Sequence, residues 1–243
     1  MASKIGVWSG TYISDYHTVG AVQEAIFSLI GRHEECDWIV KAGEAGTWQA
    51  TWDMSPLAPS DPDRLKWLWS EGQALRPKLH VVPYVVLRGR PEWREAEIQQ
   101  IADCSYCERV ILNLEPGEAY WNGPTDPAGI NDFMMSVREA VTNFNDIELA
   151  VIPRLSAIQA LGGLETFHTW LNWADAVSWE CYGKIAPDLH IEKAMRRIHE
   201  WFPGNPYQWG PEYRIPIIEA AEISDGWLDI FYTDGGIQIW HLG

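Results

Sequence analysis

Apolar runs of four to nine residues recur eight times along this chain, at 5–8, 38–42, 79–87, 110–114, 148–152, 176–180, 215–219 and 237–240. Several are nearly continuous in Val, Ile and Leu rather than alternating, as in parallel strands covered on both faces. The segments between them carry a different period. Ile191, Met195, Ile198 and Phe202 fall at offsets 0, 4, 7 and 11, one face of a helix. Val19, Val22, Ile26, Leu29 and Ile30 repeat that spacing, as do Phe133, Met134, Val137, Val141 and Phe144. Asp61-Pro62 and Asp126-Pro127 each read as an N-cap followed by a proline in the first helical turn. Only a short helix fits between Ser224 and Phe231.

Eight strands alternating with helices predict an α/β protein, a closed (β/α)8 TIM barrel rather than an open doubly wound sheet. There is no composition break, repeat or low-complexity linker, so one domain is expected over 1–243, with elaborated loops at 43–60 and 116–126. No Gly-x-Gly-x-x-Gly or phosphate-loop pattern occurs, which argues against a nucleotide site.

In such a barrel the chemistry is assembled at the C-terminal strand tips. The fourth run ends Asn113-Leu114-Glu115-Pro116-Gly117, an acid followed by two strand terminators. The seventh ends Ile217-Ile218-Glu219. Alternation along a strand puts Asn113 and Glu115 on one face and Leu112 and Leu114 on the other. By the same parity Ser178, Glu180 and Tyr182 share a face, Glu219 shares one with Ile217, and Gln238 with Trp240. Lys41, Glu44, Tyr84, Arg88 and Arg154 fall at or just past the remaining tips. The expected mouth is acidic, polar and aromatic, the lining a neutral hydroxyl-rich sugar requires. Glycoside hydrolysis needs one group to protonate the leaving oxygen and another to stabilise or attack the oxocarbenium-like centre. Crowded glutamates raise at least one pKa and keep an acid protonated near neutrality.

Composition narrows the picture further. Eighteen basic residues against 34 acidic ones give a formal charge of −16, which repels phosphate backbones and anionic lipid, so neither nucleic acid nor membrane is an expected partner. No apolar stretch reaches membrane-spanning length. The start, Met-Ala-Ser-Lys-Ile-Gly-Val-Trp, has no apolar signal core, so a cytoplasmic protein is expected, or one released by lysis or a dedicated machine. A monomer is expected. Fifteen tryptophans are several times a normal share, and indole faces stack on sugar rings. Barrel cores also use Trp, but Trp48, Trp52, Trp121 and Trp209 fall in expected loops. Trp8, Tyr84, Arg88, Trp121, Glu180, Trp240 and Glu44 are the expected substrate-binding residues.

Cys36, Cys104, Cys107 and Cys181 are too few for a disulfide scaffold. Cys104 and Cys107 close a helical pattern instead of opening one, which reads as two ordinary thiols. The seven histidines show no metal-ligand spacing, no Gly-x-Ser-x-Gly elbow occurs, and no cofactor or metal is expected.

Two family resemblances follow from these tips. Asn113-Leu114-Glu115-Pro116 at strand four with Glu219 at strand seven resembles the clan of retaining β-glycosidases. That resemblance implies Glu115 as acid/base and Glu219 as nucleophile. In that clan the Asn directly precedes the Glu, whereas here Leu114 intervenes. The chain also resembles family 18 chitinases, which carry Asp-x-Glu at strand four, a Tyr at strand six and a Trp at strand eight. Tyr182 and Trp240 match those places, and Asn113 stands for the Asp, as in the related endo-β-N-acetylglucosaminidases. This second resemblance implies Glu115 as acid, Asn113 orienting the substrate's acetamido group as internal nucleophile, Tyr182 assisting, and Glu219 binding. The two agree on Glu115. The expected function is hydrolysis of β-glycosidic bonds in a polysaccharide or cell-wall glycan, in the manner of a phage-type lysin. Two other classes remain open: a non-catalytic carbohydrate-binding or structural barrel, and a metal-dependent sugar isomerase or lyase.

Overall fold

The structure is a computed structural model that describes residues 5–12, 19–25, 36–44, 47–48, 63–115, 121–141, 146–181, 186–202, 212–219 and 237–241. All eight expected strands form: β1 (Ile5–Tyr12), β2 (Cys36–Glu44), β3 (Leu79–Val86), β4 (Arg109–Leu114), β5 (Asp146–Val151), β6 (Ala176–Cys181), β7 (Glu212–Glu219) and β8 (Ile237–His241). Each pairs in parallel with its neighbour in sequence, and β8 pairs with β1, so the sheet closes into a barrel. A two-residue antiparallel strand, Thr47–Trp48, folds back on Gly43 and Glu44. This strand falls where a loop was expected, and it places one of the expected loop indoles in the sheet.

Described helices are α1 (Val19–Ala25), α2 (Asp63–Leu75), α3 (Arg94–Asp103), α4 (Pro127–Ala140), α5 (Leu155–Ala160), α6 (Gly163–Trp173) and α7 (Ile191–Trp201). Between β5 and β6 the helical layer is broken in two. Gly162 takes φ +103 there, and a Cβ on it would meet the Thr125 carbonyl oxygen at 2.2 Å, so only glycine fits. The pairing of Asp126 with Pro127 works as the sequence implies. Asp126 Oδ1 accepts from the N–H groups of Ala128 (3.1 Å) and Gly129 (3.0 Å). Asp126→Ala is therefore expected to cost about 1 kcal/mol, lowering the melting temperature by about 2–4 °C. A thermal melt that does not move would sink the capping role. The other expected cap, Asp61-Pro62, and the expected helix between Ser224 and Phe231 lie outside the described residues.

Strand alternation sorts the side chains into two cores. Val110, Leu112 and Leu114 point outward into the layer between barrel and helices, with Trp38, Phe133, Phe167, Trp170 and Trp179. Trp8, Ile39, Val82, Tyr84, Val86, Ile111 and Ala150 fill the barrel itself. Lower in the barrel the packing turns ionic. Arg109 Nη2 lies 2.6 Å from Asp37 Oδ2, and its Nε is 3.2 Å from Glu148 Oε2, close enough for an ion pair but not aligned as a hydrogen bond. Ser178 Oγ donates to Glu148 Oε1. Burial works against the Arg109 charge, but Glu148 and Asp37 more than offset it, so its pKa is raised. A cleft of about 60 Å³ opens at this N-terminal end, lined by Asp37, Trp69, His80, Glu108, Arg109 and Asp146. It faces away from the strand tips, at the end of the barrel that serves stability rather than chemistry.

Candidate active site

The mouth is built around the end of β4. Ile111 packs inside the barrel while Leu112 and Leu114 pack outside, so Asn113 and Glu115 belong to the inner face, as their parity implies. Asn113 is buried, and its Nδ2 donates to Glu115 Oε1 at 3.0 Å. Asn113 Oδ1 is also buried and has no hydrogen-bond partner among the described residues. Glu115 itself is part-exposed.

Glu180 stands close by. The ladders align Leu114 with Val151 and Val151 with Trp179, so the next residues, Glu115, Ile152 and Glu180, share one height. Strands are about 4.8 Å apart, which puts the Glu115 and Glu180 backbones roughly 10 Å apart across β5, with both side chains aimed inward. Glu180 is only 3% exposed. Its pKa is raised well above the ordinary carboxylate value, first by burial and then by the negative charge of Glu115. The folded-state pKa thus exceeds the unfolded one. The stability this group contributes is fully present below the unfolded value, about 4.3, and is lost as pH rises through the folded value. Glu180→Gln removes that loss. Its melting temperature relative to the parent protein is expected to climb steadily between pH 4 and 8. A difference that stays flat, or falls, contradicts a raised Glu180.

Several expected substrate contacts are corrected. Trp121 is not a sugar platform. It is 4% exposed, its Nε1–H donates to the Pro124 carbonyl at 3.3 Å, and its ring meets Trp170 and Phe133 edge-on at 5.0 and 5.5 Å. The reason is that Trp121 lies outside the barrel wall, where α4 and α6 cover it. Trp8 and Tyr84 do point inward, but both are buried, 4.7 Å apart between ring centroids. They form the floor beneath the mouth and present no open face to a sugar.

Arg88 is half-buried just beyond β3, with its N–H donating to Glu97 Oε1 at 2.6 Å. Arg154 pairs with Asp188 through two bonds of 2.9 Å. The backbones of Glu44, Glu219 and Trp240 are described and their side chains lie outside the described set. Register puts Glu44 beside Val86, which pairs with Asn113, and Glu219 beside Trp240, which pairs with Trp8. Tyr182 lies outside the described residues.

The inner ionic group of Asp37, Arg109, Glu148 and Ser178 was not anticipated from the sequence. Its signal was available, since Glu148 interrupts an otherwise apolar strand and Arg109 opens another. Cys104 and Cys107 are both buried. Burial pushes Cys107 up to about 12 and Cys104 well above its ordinary value, so both stay thiols. Among the described residues no group of three or more His, Cys, Asp or Glu is arranged to hold a metal ion, and no helix is long and apolar enough to cross a membrane.

This closed parallel barrel with acids at its C-terminal mouth is the TIM-barrel class. Known structures share it. The PgaB (BpsB) glycoside hydrolase domain from Bordetella bronchiseptica superposes with a TM-score of 0.61 at 10% identity, over 100% of this chain and 94% of that one. A GH113 beta-1,4-mannanase gives 0.58 at 12% identity, over 99% and 89%. The family 18 chitinase from Crocus vernus gives 0.56 at 10% identity, over 98% and 92%. At these identities the likeness is one of fold. No protein-family model matches the chain, and no curated protein matches it in sequence.

Proposed function

We propose that this barrel is a glycoside hydrolase that cleaves β-glycosidic bonds in a polysaccharide or cell-wall glycan, with Glu115 as the general acid/base. The observation that carries the reading is the cluster of Asn113, Glu115 and Glu180 at the C-terminal mouth. There a part-exposed carboxylate receives an amide hydrogen bond next to a second, buried carboxyl group. A buried carboxyl group raised by burial and by the carboxylate beside it is suited to acid/base chemistry near neutral pH. The barrels of similar fold described as chitinase, mannanase and PgaB glycoside hydrolase domain support the same chemistry. The substrate partner is an oligosaccharide or polysaccharide, and the whole barrel acts as one domain.

Two routes are compatible with Glu115 as the acid. In the first, Glu219 at the β7 tip is the nucleophile, and the carboxyl groups stand about 5–5.5 Å apart. In the second, the substrate's acetamido group attacks, Asn113 orients it and Tyr182 assists. The buried Asn113 Oδ1, with no partner among the described residues, favours the second route. It is an acceptor awaiting a donor, and an acetamido N–H supplies one.

The test is release of new reducing ends from a panel of β-linked glycans with and without N-acetylhexosamine, comparing the protein with its Glu115→Gln variant. Turnover confined to the N-acetylated members supports the substrate-assisted route. Binding without turnover by the parent protein assigns the chain to the non-catalytic class. Activity lost only on chelation assigns it to the metal-dependent one.

A further inference from the structure

We propose that Trp121 is a positioning residue for Glu115, wedging the tip of β4 against the tip of β3 so that the carboxylate is held at one place in the mouth. This deepens the reading of Glu115 as the acid and rests on it. Glu115 lies one residue beyond the last strand residue, Leu114, so its place is set by what grips the tip. The Trp121 N–H donates to the Glu115 carbonyl at 2.7 Å, and the next amide, that of Asn122, donates to the Arg88 carbonyl at 2.7 Å. Two consecutive amides thus tie together the ends of two adjacent strands.

The indole completes the tie. It covers Gly89 and Gly123 so closely that a Cβ on Gly89 would lie 2.4 Å from Cζ3, and one on Gly123 would lie 2.6 Å from Cζ2. Gly89 also takes φ +64, a conformation that glycine adopts without strain. The turn beneath the ring is fixed from the other side by the fully buried Glu97. Its carboxylate accepts from Arg88 N at 2.6 Å and from Gly89 N at 3.1 Å. Behind the ring stand Trp170 of α6 and Phe133 of α4. The backbone amide of Trp121 thus holds the β4 tip, while its indole covers Gly89 just beyond the β3 tip and packs on the two helices behind it. A displacement of about 1 Å at a reacting group costs roughly 100-fold in rate, so such a wedge matters to chemistry as well as to packing.

The experiment compares Trp121→Phe with Trp170→Phe. Both shorten a buried ring of the same cluster, but Trp121 is the ring that lies against Gly89 and the residue whose amide holds the Glu115 carbonyl. Two readouts are taken. The first is the titration of the Glu115 carboxyl carbon by ¹³C NMR, assigned with Glu115→Gln. The second is kcat and KM on 4-nitrophenyl N,N′-diacetyl-β-chitobioside. Trp121→Phe is expected to give a Glu115 titration curve that differs from the parent protein's, and to lower kcat about 10–100-fold at little changed KM. Trp170→Phe is expected to lose comparable thermal stability and to change neither. Equal behaviour of the two variants overturns the proposal. If the parent protein turns over no substrate, the carboxyl titration still decides the positioning role, and only the reading of Glu115 as acid falls. Should Trp121→Phe not fold, amide exchange in the parent protein decides. Trp121 and Asn122 amides as protected as those of β4 support the wedge, and exchange at free-loop rates overturns it.

Discussion

Glu115→Gln is expected to lower turnover of the preferred β-glycan by about 10²–10⁴-fold, the range contributed by a positioned general acid/base. The amide keeps the size of the side chain and still meets Asn113, whose Nδ2 lies 3.0 Å from Glu115 Oε1. Stability should change little, and substrate binding should survive. The loss therefore belongs in kcat rather than KM, the mark of an interaction made in the transition state. The variant also removes the negative charge that helps raise Glu180, so the Glu180 titration should move back toward the ordinary range while burial keeps it elevated. A Glu115→Gln protein that hydrolyses its glycan at the parent rate removes Glu115 from the chemistry. The acid would then have to be sought at Glu180 or Glu219.

Arg109→Met is expected to destabilise the barrel by about 3–5 kcal/mol, the cost of breaking a buried ion pair by removing one partner. Arg109 lies between Asp37 and Glu148, which are almost fully buried, and its loss strands two carboxylates inside the barrel. Denaturant unfolding measures the effect, which should appear in the midpoint with the slope unchanged. Replacing all three with apolar residues of similar volume is expected to recover most of the loss, because desolvation then no longer opposes folding. A single variant that loses less than about 1 kcal/mol, as an exposed pair would, shows that these ions are solvated after all. The group lies at the N-terminal half of the barrel, so neither change should shift the pH dependence of turnover.

The barrel was legible because its signals are local. Apolar runs at 110–114 and 148–152 and the helical spacing of Ile191, Met195, Ile198 and Phe202 each depend on residues a few positions apart. The same holds for the inward parity of Asn113 and Glu115 and for the Asp126 cap, since alternation along a strand and a cap's reach of three residues need no distant partner. The tryptophans show where this stops. Nothing in the neighbourhood of Trp121 says that α4 and α6 will cover it, and nothing near Trp8 says that Tyr84 will meet it across the barrel.

The sequence by itself determined the order of strands and helices, the face on which each strand carries its polar residues, and Glu115 at a strand tip. The tertiary structure alone decided which aromatic rings are packing and which acids share a site. It buried Trp121 between the barrel wall and α4 and α6, packed Trp8 and Tyr84 together inside the barrel, brought Glu180 level with Glu115, and joined Arg109 to Asp37 and Glu148. The physical reason is that burial and charge–charge coupling are properties of neighbours in space. In a closed barrel those neighbours come from strands far apart in the chain, as Asp37 and Arg109 are at 72 positions.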